Sequence, residues 1–142
     1  MVGGLTDCSI QLLYIMDIFG SWVESPCELT TKFKNAEPFS YITINNFLTE
    51  EIAEQIYKEF PSNDLSTWHY YKNPLEVKYA FNDMDKIPSV IKKVFDSLSS
   101  PEVIEKITEL TGIKDLESDT HLHGSGLHVC KRGGRLAMHL DY

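Results

Sequence analysis

The sequence predicts an α+β protein in which helices support a sheet, and three observations lead to this class. Apolar residues recur at helical spacing in several stretches of the 142 residues. Short runs rich in β-branched and aromatic residues lie between these stretches. A Gly-Gly dipeptide near the C-terminus separates two further short runs, as in a tight hairpin. With 42% hydrophobic residues, the chain has enough apolar material for one core.

Composition excludes several classes of function. The net charge of −8 argues against the basic surface that nucleic-acid binders need. The most apolar stretch, residues 10–23, contains Asp17 and is too short to cross a bilayer. Three cysteines without a Cys-x-x-Cys pair give neither a disulfide framework nor a four-thiolate zinc site. We therefore expect a cytoplasmic protein with neither nucleic acid nor membrane as a partner.

The N-terminal part is expected to be a helix followed by a linker. Residues 10–23 carry apolar side chains at helical spacing on one face, namely Leu12, Ile15, Phe19 and Trp22. Residues 24–38 mix Ser-Pro, threonines and charges, which is typical of a linker. The main body is expected to begin near Phe39.

The first elements of the body are predicted to be a strand and a helix. Residues 39–47 are rich in β-branched and aromatic residues, which favours a strand. Thr49 is a suitable N-cap for a helix with an acidic first turn, and Pro61 should end that helix. Its predicted buried stripe consists of Ile52, Ile56, Tyr57 and Phe60.

Two strands and two helices are predicted next. Residues 68–72 and 75–81 have the composition of strands, and Asn73-Pro74 separates them. Pro88 should open a helix whose inward residues are Ile91, Val94, Phe95 and Leu98. Ser100 as cap and Pro101 as first residue should open a second helix that ends at Gly112. Its inward residues are Val103, Ile104, Ile107 and Leu110.

The C-terminal segment is predicted to be a hairpin about Gly133-Gly134, since glycine accepts positive φ at both turn positions. That register pairs Cys130 with Ala137 and His128 with His139. Alternate residues of a strand share a face, so one expected face carries Arg135, Ala137, His139 and Asp141. The opposite face, expected to be core, carries Leu136, Met138, Leu140 and Tyr142.

The residues His139 and Asp141 are the candidate metal ligands. On one strand face their α-carbons would lie about 7 Å apart, close enough for an imidazole nitrogen and a carboxylate oxygen to meet at one ion. Four of the five histidines lie in residues 121–142, where a metal or small-anion site is therefore sought first. The alternative is an ordinary surface pair.

The tail resembles the first half of the iron site in 2-oxoglutarate-dependent oxygenases of the prolyl-4-hydroxylase-like branch. The matching residues are Gly126-Leu127-His128, Arg132-Gly133-Gly134, Leu136 and His139-Leu140-Asp141-Tyr142. The upstream order is similar, with Pro38-Phe39, Asn46-Phe47-Leu48, Leu75-Glu76-Val77-Lys78 and Leu110-Thr111-Gly112-Ile113. The resemblance covers residues 37–142 and leaves residues 1–36, the N-terminal helix and linker, outside.

The resemblance implies a partial double-stranded β-helix, or jelly roll, with supporting N-terminal helices and the C-terminal strands missing. It implies Fe(II) bound by His139 and Asp141, 2-oxoglutarate as co-substrate, dioxygen, and a hydroxylation substrate of unknown identity; ascorbate is compatible with it. The hard chemical step belongs to the metal, so no side chain is assigned as a catalytic acid or base. The family's third ligand and carboxylate clamp lie downstream of the motif, so the 142 residues alone are expected to be inactive.

Other interpretations of the histidines stay open. His128 is predicted to contact the co-substrate, with a structural cross-strand pair or a third ligand as alternatives. A small zinc site could use His121, His123 and His128 or Cys130. A non-catalytic jelly-roll fragment that associates through exposed sheet edges is a further alternative.

Overall fold

The computed structural model describes residues 13–61, 65–81, 83–119 and 125–139. Within these ranges, four strands form one antiparallel sheet; in chain order, helices precede β1 and lie between β2 and β3. The elements are a 3₁₀ helix (Ser21–Val23), α1 (Cys27–Lys34), α2 (Glu50–Glu59), β1 (His69–Lys72), β2 (Glu76–Phe81), α3 (Ser89–Leu98), α4 (Pro101–Thr111), β3 (Leu127–Val129) and β4 (Arg135–Leu136). The α+β class predicted from the sequence is confirmed.

Asn73 sets the turn between β1 and β2. Its side-chain oxygen accepts hydrogen bonds from the backbone N–H groups of Leu75, at 2.9 Å, and Glu76, at 3.0 Å. Its own N–H donates to the Glu76 carbonyl at 2.9 Å. This local network fixes an antiparallel register in which His69 pairs with Ala80 and Lys72 with Val77. The predicted break at Asn73-Pro74 is confirmed.

The core joins the N-terminal segment to the helices and to one face of the sheet. From the sheet side it includes Trp68, Phe81 and Leu127. Its other buried members are Ile15, Ile18, Phe19, Trp22, Val23, Ile52, Ile87, Val90, Ile91, Val94, Val103 and Leu110. Residues before and after the predicted boundary between 1–36 and 37–142 therefore contribute to one apolar cluster. The boundary itself stays a prediction. No helix in the described ranges is long and apolar enough to span a membrane.

The helix in the N-terminal segment ends earlier than predicted. Residues 13–16 are helical, and Phe19 then forms an isolated antiparallel bridge with Leu48. A single helix through residue 23 is wrong because the Gly20 backbone turns against the 46–47 loop: its N–H donates to the Phe47 carbonyl at 3.1 Å. A Cβ on Gly20 would collide with the Asn46 carbonyl oxygen. The predicted burial of Ile15, Phe19 and Trp22 is confirmed.

The predicted linker, residues 24–38, contains helix α1. This helix packs against α4, and the Thr30 hydroxyl donates to the Glu109 carbonyl at 3.2 Å. Leu29 and Phe33, one helical turn apart, pack against the core. The linker prediction is wrong here because packing on a distant helix stabilises a stretch whose local pattern is weak.

The predicted strand over residues 39–47 is also wrong. Residues 41–44 have no regular structure, bends lie on either side, and residues 45–46 form a turn. In that turn Asn46 has a φ of 54°, a left-handed conformation that asparagine tolerates. Ile42 and Ile44 pack against the core while Tyr41 is exposed. The alternation of burial therefore follows the strand pattern, but the described chain supplies no ladder partner for this segment.

Helix α2 begins and ends as predicted, but its details differ. Thr49 occupies the N-cap position, yet its side chain makes no capping bond and donates to the Asp17 carbonyl at 3.3 Å. Ile52 is buried, Ile56 and Phe60 are partly buried, and Tyr57 is 85% exposed. The predicted burial of Tyr57 is wrong because one side of α2 faces the core and Tyr57 lies on the other.

Helices α3 and α4 follow the sequence signals closely. The Ser100 hydroxyl accepts from the Val103 N–H at 3.3 Å, Pro101 is the first helical residue, and Gly112 ends α4 with a φ of 72°. Val103 and Leu110 are buried. In α3, Val90, Ile91 and Val94 are buried, while Phe95 and Leu98 are partly buried.

Candidate functional site

Strands β3 and β4 both lie along the edge of β2 opposite β1. Tyr79 pairs with Val129 of β3, and Val77 pairs with Arg135 of β4. Both strands run antiparallel to β2, so they act as one strand interrupted by residues 130–134. The predicted hairpin, with Cys130 opposite Ala137 and His128 opposite His139, is therefore wrong: each arm finds its partner in β2 instead of in the other arm.

Residues 130–134, between β3 and β4, form a compact loop whose conformation requires two glycines. The Gly134 N–H donates to the Lys131 carbonyl at 2.7 Å, and Gly133 has a φ of 86°, as at the third position of a type II turn. A Cβ on Gly134 would lie 2.9 Å from the Lys131 carbonyl oxygen and 3.0 Å from that of Val77. Gly133 supplies the backbone conformation, and Gly134 allows the loop to lie against β2.

His128 lies on β3 opposite Ala80, and His69 of β1 flanks Ala80 from the other side. Desolvation lowers the pKa of His128; the nearby Lys78 ammonium lowers it further, and Glu76 partly offsets this. The segment that leads to His139 bonds to β2 at Leu75, whose carbonyl accepts from the Ala137 N–H. Leu75 is five residues from Ala80, the partner of His128, which is about 16 Å along an extended strand. His128 thus lies far from His139, and its co-substrate contact stays a prediction.

The prediction that His139 lies on a strand, on one face with Arg135 and Ala137, is wrong: β4 ends at Leu136, Met138 forms a bend, and His139 is exposed beyond it. Its Nδ1 lies 2.8 Å from the Ala137 carbonyl oxygen. Since a carbonyl only accepts, Nδ1 carries the proton in a neutral ring, and the lone pair lies on Nε2. An imidazole whose other nitrogen donates to a backbone carbonyl has the arrangement commonly found in metal-ligating histidines.

Several predicted site residues lie outside the described residues. These are Asp141, the second proposed iron ligand, and His121 and His123 of the zinc alternative. Among the residues that are described, no group of three or more His, Cys, Asp or Glu side chains is placed to hold a metal ion. Cys27 and Cys130 are free and exposed.

The apolar side of the β4 segment is exposed, contrary to the prediction that it is core. Leu136 is 55% exposed and Met138 is 98% exposed. Leu140 and Tyr142, the other predicted members, lie outside the described residues. In the described structure the face that carries Leu136 also carries Glu76, its partner on β2, and the core contacts of the sheet lie on the opposite face.

Two clusters on the sheet were not predicted. On one face Lys78 forms an ion pair with Glu76 at 3.0 Å, and its ammonium lies 5.6 Å from the Tyr71 ring centroid. On the other face Tyr70 and Tyr79 stack with centroids 4.7 Å apart. Both clusters could have been predicted from the sequence, because the side chains of residues 69–72 and 76–81 alternate between the two faces of the sheet on either side of the Asn73 turn.

Comparisons with known proteins found no match to a family model, to a curated protein or to a solved structure.

Proposed function

We propose that this chain is part of an iron(II)- and 2-oxoglutarate-dependent dioxygenase, a hydroxylase of the prolyl-4-hydroxylase-like type. His139 and Asp141 are the proposed metal ligands within a jelly roll, of which the sheet β1–β4 would be one part. When bound, iron(II) with 2-oxoglutarate and dioxygen supplies the oxidation that hydroxylates a C–H bond, and 2-oxoglutarate is converted to succinate and carbon dioxide.

The observation that carries the proposal is the bond between His139 Nδ1 and the Ala137 carbonyl, at 2.8 Å. With Nδ1 as the donor in this contact, Nε2 is the ring nitrogen that would bind a metal. Imidazole with carboxylate is a donor set suited to iron(II). His139 together with Asp141 would therefore suit the proposed ion in donor chemistry.

The placement of the segment adds a second argument. Strand β4 is anchored to β2 through the pairs Leu136–Glu76 and Arg135–Val77, and the Ala137 N–H extends this anchoring to Leu75. The last of these backbone bonds is two residues before His139, which limits how far the imidazole can move from the edge of β2.

The proposed role of the chain's residues is to bind and orient the metal. Within the 142 residues the resemblance assigns two metal ligands, His139 and Asp141, whereas an iron site of this type uses three. We expect residues 1–142 alone to bind iron(II) weakly and to release no succinate when iron(II) and 2-oxoglutarate are added. Sustained succinate release would contradict the two-ligand proposal.

Metal binding tests the ligand assignment directly. We choose Mn(II) as an air-stable probe that prefers similar ligands, and its electron paramagnetic resonance signal reports the free ion. The expected result is weak binding that H139A and D141N each reduce by tenfold or more. The matched control is H69A, which removes an imidazole from the far edge strand β1 and should bind Mn(II) as the wild type does.

Two outcomes would contradict the proposal. Equal binding by H139A and the wild type would remove His139 as a ligand. Tight stoichiometric zinc that survives dialysis and is lost in the H121A/H123A double variant would favour the small zinc protein instead.

A non-catalytic interaction module is the second candidate function. The exposure of Leu136 and Met138, at 55% and 98%, favours it, because adjacent apolar side chains at a sheet edge promote association. The proposed partner is a second copy of this chain.

Sedimentation velocity separates this candidate from the first. We expect a concentration-dependent dimer that L136K/M138K abolishes. The control Y57K changes a side chain that is 85% exposed on α2 and should leave association unchanged. A compact monomer at all concentrations would rule out the interaction module.

A further inference from the structure

The loop at residues 130–134 closes one side of a concavity on the face of the sheet that carries the stacked tyrosines. The concavity has a volume of about 280 Å³. It is lined by Tyr70, Val77, Lys78, Tyr79, Lys131, Arg132, Gly133 and Gly134. These lining residues include cations and aromatic rings but no carboxylate.

Two of the nearby cations already have partners. Lys78 is paired with Glu76 at 3.0 Å. The Arg135 guanidinium donates to the carbonyls of Asn73 and Pro74, each at 3.5 Å. Neither side chain is counted as available to a ligand.

Lys131 and Arg132 differ from these two. Among the described residues, no carboxylate oxygen lies within 4.0 Å of their side-chain nitrogens. Lys131 Nζ instead lies 5.8 Å from the Tyr79 ring centroid, within the range of a cation–π contact. Two cationic side chains thus lie beside an aromatic surface, on a loop whose backbone conformation requires Gly133 and Gly134.

The charge of this loop is opposite to that of the rest of the chain. Residues 1–120 hold ten Lys and Arg against twenty Asp and Glu, a balance of 10 − 20 = −10. An acidic ligand is therefore repelled by most of the molecule and attracted here. Such local complementarity directs a ligand to one place on a surface.

We propose that the concavity formed by Tyr70, Tyr79, Lys131 and Arg132 binds an acidic peptide segment in an extended conformation. The inference goes beyond the proposed oxygenase function and does not depend on metal binding. The carboxylates of the peptide contact Lys131 and Arg132, and the stems of its side chains lie on the stacked tyrosine rings.

Three features favour a peptide over a small free anion. The volume of about 280 Å³ suits one or two side chains. Tyr70 is 46% exposed and extends the aromatic surface from Tyr79 on β2 to β1, so that a longer ligand has a second ring to contact. A free anion meets only two solvated cations, an interaction worth little in water.

The test is fluorescence anisotropy with a labelled peptide of alternating glutamate and threonine, in which β-branched threonine and repulsion between the glutamates favour an extended chain. The full 142-residue chain should bind it, and the peptide with glutamine in place of glutamate should not bind. The K131Q/R132Q variant should bind the acidic peptide at least tenfold more weakly. Circular dichroism checks that the variant is folded.

The matched control is K32Q/K34Q, which removes the same charge from exposed positions on α1 and should bind as the wild type does. Failure of the wild type to bind, or equal weakening by both double variants, would overturn the proposal. Displacement of the peptide by inorganic phosphate as readily as by unlabelled peptide would also overturn it, since the site would then accept small anions.

Discussion

Trp22 and Phe47 stack with ring centroids 5.1 Å apart and planes 13° from parallel, and the Trp22 indole N–H donates to the Phe47 carbonyl at 2.9 Å. Phe19 meets both rings edge-on, at 5.8 Å from Trp22 and 5.6 Å from Phe47. Trp22 thus contacts the loop before α2 both through its ring and through its indole N–H. This contact joins the first part of the chain to the segment that precedes α2.

The first prediction concerns Trp22. We expect W22F to lower the free energy of unfolding by about 2 kcal/mol, because it removes one hydrogen bond and leaves a small cavity. Urea unfolding followed by circular dichroism measures this. A double-mutant cycle of W22L with F47L, each of which removes one ring while the Phe47 backbone carbonyl is kept, should give a coupling of about 1 kcal/mol for the rings. No coupling would contradict the stacked arrangement.

The second prediction separates the two glycines of the loop. G133A should cost about 1 kcal/mol, because alanine at a φ of 86° is strained, and G133N should cost less. G134A should cost more than G133A, because its Cβ would meet two backbone oxygens at 3.0 Å or less. Thermal unfolding gives the order. Equal losses would indicate that the loop moves freely away from β2.

The third prediction compares two N-caps. S100A should destabilise the protein by about 1 kcal/mol, since the Val103 N–H loses its acceptor. T49A should cost less, because Thr49 makes no capping bond to α2. Chemical unfolding of both variants is the measurement, and a larger loss in T49A would contradict the structure.

The fourth prediction concerns pH. The pKa of His128 lies below its usual 6.5 in the folded chain, so the unfolded chain binds more protons as the pH falls below that value. Stability contributed by neutral His128 is present above pH 6.5 and is lost as the pH falls through the folded pKa. We therefore expect H128Q to reduce the decline in unfolding free energy on mild acidification.

Proton NMR titration of the His128 ring provides the sign test. K78Q should raise the pKa of His128, because it removes a nearby positive charge, and E76Q should lower it, because it removes a negative charge. The two variants serve as controls for each other. Shifts in the same direction would contradict the placement of Lys78 and Glu76 beside His128.

Local signals in the sequence were sufficient for some elements. Helix α4 was predictable because Ser100, Pro101 and Gly112 each act on the backbone next to them. The Asn73 turn was predictable for the same reason, since its bonds reach only to Leu75 and Glu76. Elements of this kind depend little on distant contacts.

Other elements depended on partners that no local pattern specifies. Residues 39–47 have strand composition, but a strand requires a neighbour, and the described chain places Leu48 alone against Phe19. The Gly133-Gly134 dipeptide correctly indicated a turn, yet its flanking residues pair with β2. Helix α1 was missed because its stabilising contact is with α4. Both proposed iron ligands stay predictions: His139 lies after β4 with its Nδ1 near the Ala137 carbonyl, and Asp141 lies outside the described residues.

The offset between the two halves of the interrupted strand has a practical consequence. Val129 pairs with Tyr79 and Arg135 with Val77. Arg135 is thus six residues after Val129, whereas their partners on β2 are two residues apart. The loop therefore contains four residues more than continuous pairing with β2 would need. Because each arm pairs with β2 separately, the number of loop residues does not itself set the register of either arm. The segment is thus a place where related sequences can vary in length, and where a designed insertion can be exchanged while the scaffold keeps its shape.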